Sequence, residues 1–225
     1  MKFPTKELHV LSQEKERTAK NGKKVIATYP FGFEPTLYRY RLGEPLYITK
    51  QQTIFVCSMA DLFGEWVPTR WIVDVLDACL AAPQHRYLLL TKNPGRYLEL
   101  DKLALLPHGE NFWYGSTVPD ETAQAMYPKA EDINTFWSME PLLGPVDITE
   151  SEGLPQWIIL GAMTGPGSAK RQPKREWVED IVRAADASEI PVYMKDSLLP
   201  IMGEDRMRRE LPWEKTYEYQ KKEGS

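Results

Sequence analysis

Four apolar runs in this chain each stop abruptly at a cluster of reactive side chains. They are TIFVCSMAD (53–61), YLLLTKN (87–93), TFWSMEP (135–141) and PVYMKDS (191–197). A run that is apolar throughout, rather than alternating, reads as a strand buried on both faces. In a barrel of alternating strands and helices, the ends of several strands converge on one face, and that face carries the chemistry. The pattern therefore predicts an enzyme-like α/β architecture.

The segments between the runs support this. Residues 68–82 place Trp71, Ile72, Val75, Leu76, Cys79 and Leu80 at three- and four-residue steps, the spacing of a one-sided helix. Further helices are predicted at 95–105, at 119–126 behind Pro119, and at 173–187. Strands are expected at 53–58, 86–91, 111–116, 133–138, 156–161 and 191–194. Upstream, the spacing suggests a short helix over 8–20 and a short strand over 24–29. A short helix over 204–210 closes the ordered part. A complete eight-stranded barrel takes about 250 residues. The expectation is therefore an α/β fold, a partial or short TIM-like (β/α) barrel with about six parallel strands. A doubly wound open sheet is the competitor, but polar clusters end at least four strands rather than flanking one switch point. The chain divides into an N-terminal arm and aromatic linker (1–50), the partial barrel (51–212) and a flexible charged tail (213–225).

Composition narrows the function classes. Hydrophobic residues make up 42% of the chain, which excludes disorder. A net charge of −4 gives no global attraction to nucleic acid, and the basic clusters at 15–24 and 206–209 read as solvated helical faces. Two cysteines, Cys57 and Cys79, have neither metal-site nor redox spacing. No run approaches the ~20 apolar residues of a membrane span, and residues 1–24 are too polar for a secretion signal. The expected setting is the cytoplasm, without a membrane partner.

Each strand end offers candidates. Ser58 and Asp61 follow the first barrel strand; Asp61 can act as a base or bind a cation, and it can equally cap a turn. Thr91 and Lys92 end the second. A lysine behind four apolar residues becomes nucleophilic if desolvated, or it holds a carboxylate or phosphate. Ser116 ends the third strand. Glu140 ends the fourth and needs a cationic partner if buried, Lys92 or Lys195 being the candidates. The GAMTGPG loop (161–167) brings Gly161, Thr164 and Gly165, whose backbone N–H groups can cradle an anion; a simple tight turn is the alternative. Lys195 and Asp196 end the last strand, a pairing compatible with Schiff-base chemistry or with an ordinary salt-bridged loop. Lys92, Glu140, Lys195 and Asp61 are thus the catalytic candidates. Ser58, Thr91, Ser116, Gly161, Thr164 and Gly165 are the candidates for cofactor binding. No metal ligands are assigned. His85 precedes a strand, at the opposite end of the barrel.

Taken in order, FGFEPTLYRYRL, IFVCSMADLFGEWVP, APQHRYLLLTKNPGRY, FWYGSTV, FWSMEPLLGPVDI, WIILGAMTGPG and PVYMKDSL resemble the phage-associated three-Cys-motif proteins, a radical-SAM-like family. The resemblance implies a partial TIM-like barrel. It also implies a [4Fe–4S] cluster on three cysteines near the N-terminus, with S-adenosylmethionine on the open iron. By the same resemblance, Glu140 and the GAMTG loop face the cofactor and substrate. No cysteine precedes Cys57, so three expectations stand: an N-terminally shortened form, a cluster segment supplied by another polypeptide, or a lost cluster; on each the chain is not catalytic alone. Two other readings stand beside this one. One is a cofactor-independent barrel enzyme using Lys195 or Lys92 as a Schiff base. The other is a binding protein whose open sheet edge pairs with a protein partner or a separate segment. An unknown small-molecule ligand is common to the readings.

Overall fold

The computed structural model describes residues 7–123, 125–149 and 153–214. In chain order the elements are β1 (His9–Leu11), β2 (Glu16–Thr18), β3 (Lys24–Ile26), β4 (Thr36–Tyr38), α1 (Glu44–Tyr47), β5 (Thr53–Val56), α2 (Thr69–Leu80), β6 (Arg86–Thr91), α3 (Gly95–Lys102), β7 (Phe112–Thr117), β8 (Asn134–Met139), β9 (Ile158–Leu160), α4 (Arg175–Ala187), β10 (Val192–Met194) and α5 (Leu199–Met202). Six of the strands form one parallel sheet in the order β10-β9-β8-β7-β6-β5. Spatial order follows chain order, so the sheet winds one way and curves into a half-barrel rather than reversing as a doubly wound sheet does. The α/β half-barrel expected from the sequence is the fold observed.

Strand alternation sorts the core. Tyr87, Leu89, Phe112 and Tyr114 pack with Ile72, Leu76 and Cys79 of α2 and with Tyr97 and Leu100 of α3 on the helix side. Trp137, Met139, Ile158, Leu160, Val192 and Met194 do the same against Val178, Ile181 and Ala185 of α4. Each such side chain contributes about 1.5–3 kcal/mol when fully buried. The alternate residues Leu88, Trp113, Phe136 and Ile159 form a separate apolar layer on the inner face. No helix among the described residues is long and apolar enough to cross a membrane.

Three expectations need correction. Residues 8–20 form no helix. They hold β1, which pairs in parallel with β4, and β2, which pairs antiparallel with β3. The cause is Asn21-Gly22, a hairpin turn signal in which Gly22 takes φ +80. The helix expected over 119–126 is also absent among the described residues. Asp120 instead bonds the Thr122 N–H (3.0 Å) and hydroxyl, and this local turn replaces the first helical turn. Finally, the closing helix is a single 3-10 turn, Glu204–Arg206. The chain then runs antiparallel beside β10, with the Met194 N–H donating to Arg208 and the Glu210 N–H to Val192.

That strap ends on the inner face. The Trp157 indole N–H donates to the Glu210 carbonyl at 3.0 Å. Trp213 packs edge-on against Trp113 and Trp157, and the Arg86 guanidinium lies 4.1 Å from a Trp213 ring. Arg86 and Trp113 sit at the N-terminal ends of their strands, so Trp213 closes the bottom of the half-barrel. Of the expected tail, only Trp213 and Glu214 lie within the described residues. The sheet's other edge is β5, where Thr53 and Phe55 are exposed.

Candidate functional site

Register fixes which strand-end residues share the inner face. Leu88 and Leu90 point inward on β6, so Lys92 continues that row. Thr117 follows Trp113 on β7; Ser138 and then Glu140 follow Phe136 on β8. Gly161 follows Ile159, and Lys195 follows Tyr193. Lys92, Glu140, Gly161 and Lys195 therefore stand along one mouth, at the C-terminal ends of their strands.

At this mouth, Glu140 forms an ion pair with the Lys195 ammonium. The two side chains keep 29% and 45% of their exposure, so solvent and solutes reach both. Gly161 makes this possible: a Cβ there would come 2.8 Å from Glu140 Cγ and 3.2 Å from Oε1. The backbone locks the same corner. The Lys195 N–H donates to Leu160, the Leu142 N–H to Gly161, and the Ala162 N–H to the Ser197 hydroxyl at 2.9 Å. Lys92 is exposed.

Asp61 is placed differently. Its Oδ1 accepts the Thr91 hydroxyl at 2.7 Å and the Phe63 N–H at 3.1 Å, while Oδ2 accepts the Lys92 N–H at 2.9 Å. Thr91 in turn accepts the Asn93 N–H, and the Asn93 amide donates to the Phe63 carbonyl. The carboxylate ties the loop after β5 to the end of β6. Ser58 is exposed in the turn ahead of it.

Thr91 and Ser116 share the alternation of Leu89 and Tyr114, so both side chains lie on the helix side of the sheet. Each is buried, at 1% and 0% exposure. The Ser116 N–H donates to the Tyr127 hydroxyl at 3.0 Å. The inward hydroxyls are those of the neighbours Thr117 and Ser138. Period-two counting from Trp113 and Phe136 finds both of them. Thr164 and Gly165 are exposed in the loop beyond Gly161, which Gln172 holds through the Met163 and Ser168 carbonyls.

A three-thiolate cluster does not fit these residues. The chain has two cysteines, and Cys79 is buried in α2, where burial pushes its thiol up to about 12. Among the described residues no three His, Cys, Asp or Glu side chains converge as a metal site.

No curated protein and no solved structure matches the chain. A family model does match, over residues 10–208, so the half-barrel, its mouth and the β2–β3 hairpin all lie in the shared region. The chain belongs to the family described as protein of unknown function (DUF5131).

Proposed function

We propose that this protein is a radical-SAM-like half-barrel of phage or mobile-element origin that binds a small zwitterionic ligand of the amino-acid type at its mouth. The observation carrying the reading is the Glu140–Lys195 pair seated on Gly161. A half-exposed ion pair is worth only about 0–1 kcal/mol to the fold, so it opens at little cost. A ligand carrying both an ammonium and a carboxylate satisfies both partners at once. Its ammonium replaces Lys195 on Glu140, and its carboxylate takes Lys195; Lys92 stands four strands away, at the end of β6. Thr117 and Ser138 present hydroxyls between them. The methionyl end of S-adenosylmethionine has this chemistry, as the family resemblance implies. With two cysteines, these 225 residues do not themselves supply three thiolates, so the reading is of a binding protein rather than an autonomous radical enzyme.

Calorimetric titration tests it. S-adenosylmethionine and methionine bind, whereas methionine methyl ester and N-acetylmethionine, each lacking one charge, do not. Glu140→Gln and Lys195→Met each weaken binding tenfold or more. Equal binding of the charge-blocked compounds, or no binding of any of the four, rejects the proposal.

A further inference from the structure

The β2–β3 hairpin is not a solvated helical face but a two-stranded ribbon, and all six of its strand residues are exposed. Its register pairs Glu16 with Ile26, Arg17 with Val25 and Thr18 with Lys24. The ladder continues at both ends, through the Ala27 N–H on Lys15 and the Ala19 N–H on Lys23. Directly opposed residues share a face. One face therefore carries Lys15, Arg17 and Lys23 with Val25, and no carboxylate. The other carries Glu14 and Glu16, with Lys24 held 3.4 Å from Glu16. The hairpin has sorted its charges, and a merely solvated ribbon has no need to do so.

A cavity of about 200 Å³ beside the hairpin is lined by Lys15 and Arg17 of the basic face, by Glu16 and Thr28 of the other, and by Tyr29. The Glu16 carboxylate is the one paired with Lys24. Tyr29 is 59% exposed there, and Lys15 lies 4.3 Å from the ring of Phe31, which is stacked on His9. The charge is also segregated along the chain. Residues 1–50 hold ten lysines and arginines against five acidic residues, while the remainder is net acidic at −9. Such asymmetry marks a polyanion-binding segment more than a uniform surface does.

We propose that this ribbon face binds single-stranded nucleic acid. Lys15 and Arg17 stand two residues apart, about 6.8 Å along the strand, and with Lys23 they form a short cationic track for phosphates. Tyr29 provides a ring at the track's edge for a base to stack on, which is how sequence-tolerant single-strand sites are built. The proposal does not depend on the ligand read at the half-barrel mouth.

Fluorescence anisotropy of the full chain with a labelled oligothymidine provides the test. Three neutralised phosphates give a slope of log K against log salt of about −2 for a single strand, or a roughly 20-fold loss between 50 and 200 mM salt. The triple variant K15Q/R17Q/K23Q is expected to lose tenfold or more in affinity and to flatten that slope. Tyr29→Ala weakens binding at unchanged slope, and Lys24→Gln, on the opposite face, stays within about twofold. All five positions are exposed, so circular dichroism should report an unchanged fold. Absence of binding at 50 mM salt, or an unaffected triple variant, overturns the proposal. So does duplex DNA bound as tightly as the single strand. Capture by phosphatidylglycerol vesicles without oligonucleotide binding overturns it in favour of a membrane surface.

Discussion

The Glu140 side chain lies directly over the Cα of Gly161, so close that any Cβ at 161 would meet its Cγ at 2.8 Å. Glycine is required here for room and not for its backbone, because Gly161 is not among the positive-φ glycines. Gly161→Ala should therefore push Glu140 off its seat and separate it from Lys195. Titration with methionine should show affinity reduced tenfold or more. The displaced group is the end of a flexible side chain at the solvent edge. Stability should fall by less than the ~1–3 kcal/mol of core overpacking, or under about 4 °C in Tm. A variant that binds normally would separate the Gly161 contact from the ligand site.

How far the sequence could be read depended on which physical signal was local. β6 was legible to the residue, because Arg86–Thr91 is an apolar run between Pro83 and Pro94. The N-terminal hairpin was equally legible in Asn21-Gly22, but the charge spacing of 15–24 resembled a helix and outweighed it. At 119–126, Pro119 opened a turn that Asp120 then captured with its own side chain, a competition that propensity alone does not decide. At the site, the strand ends are legible, but which of the adjacent hydroxyls Ser116 and Thr117 faces inward depends on the register. A step of one along a strand reverses the face, and Thr117 carries the inward hydroxyl. The contact between Glu140 and Gly161 joins β8 to β9 across 21 residues, so no local pattern reveals it.

Asp61 accepts three hydrogen bonds from three different residues, and the loop after β5 depends on them. Asp61→Asn keeps the shape but turns an amide NH2 group toward one of these donors. Hydrogen bonds to a charged group are worth about 1.5–3 kcal/mol. Urea denaturation should show a loss in that range, with faster hydrogen exchange at the Phe63 and Lys92 amides. Lys92→Met, at an exposed side chain, should stay within about 0.5 kcal/mol. Unchanged stability in Asp61→Asn would mean that these bonds do not hold the loop.

Gly115 on β7 sits beneath the Phe136 ring of β8, and a Cβ there would lie 2.2 Å from the ring's Cζ. Phe136 is fully buried, so the ring has nowhere to go. Gly115→Ala should cost about 3 kcal/mol, the upper part of the overpacking range, and lower Tm by roughly 6–12 °C. Adding Phe136→Leu in the same chain should recover part of the loss, because the smaller side chain leaves room for the methyl. A double-mutant cycle with no coupling would contradict the contact.

His108 bridges two carboxylates at the bottom of the half-barrel, with Nε2 2.8 Å from Asp101 and Nδ1 2.9 Å from Asp132. Partial burial alone would lower the imidazole pKa. The hydrogen bonds and charges of Asp101 and Asp132 outweigh it, so the net shift is upward. A histidine whose folded pKa exceeds its unfolded value, about 6.5, binds its proton more tightly in the native state. Its contribution is complete below pH 6.5 and is lost as pH rises through the elevated folded value. The urea midpoint should therefore fall on going from about pH 6 to pH 8.5, beyond any fall in a His108→Gln variant, whose glutamine carries no titrating proton. If wild type and variant decline in parallel over that window, the bridge between α3 and the loop ahead of β8 is not what titrates.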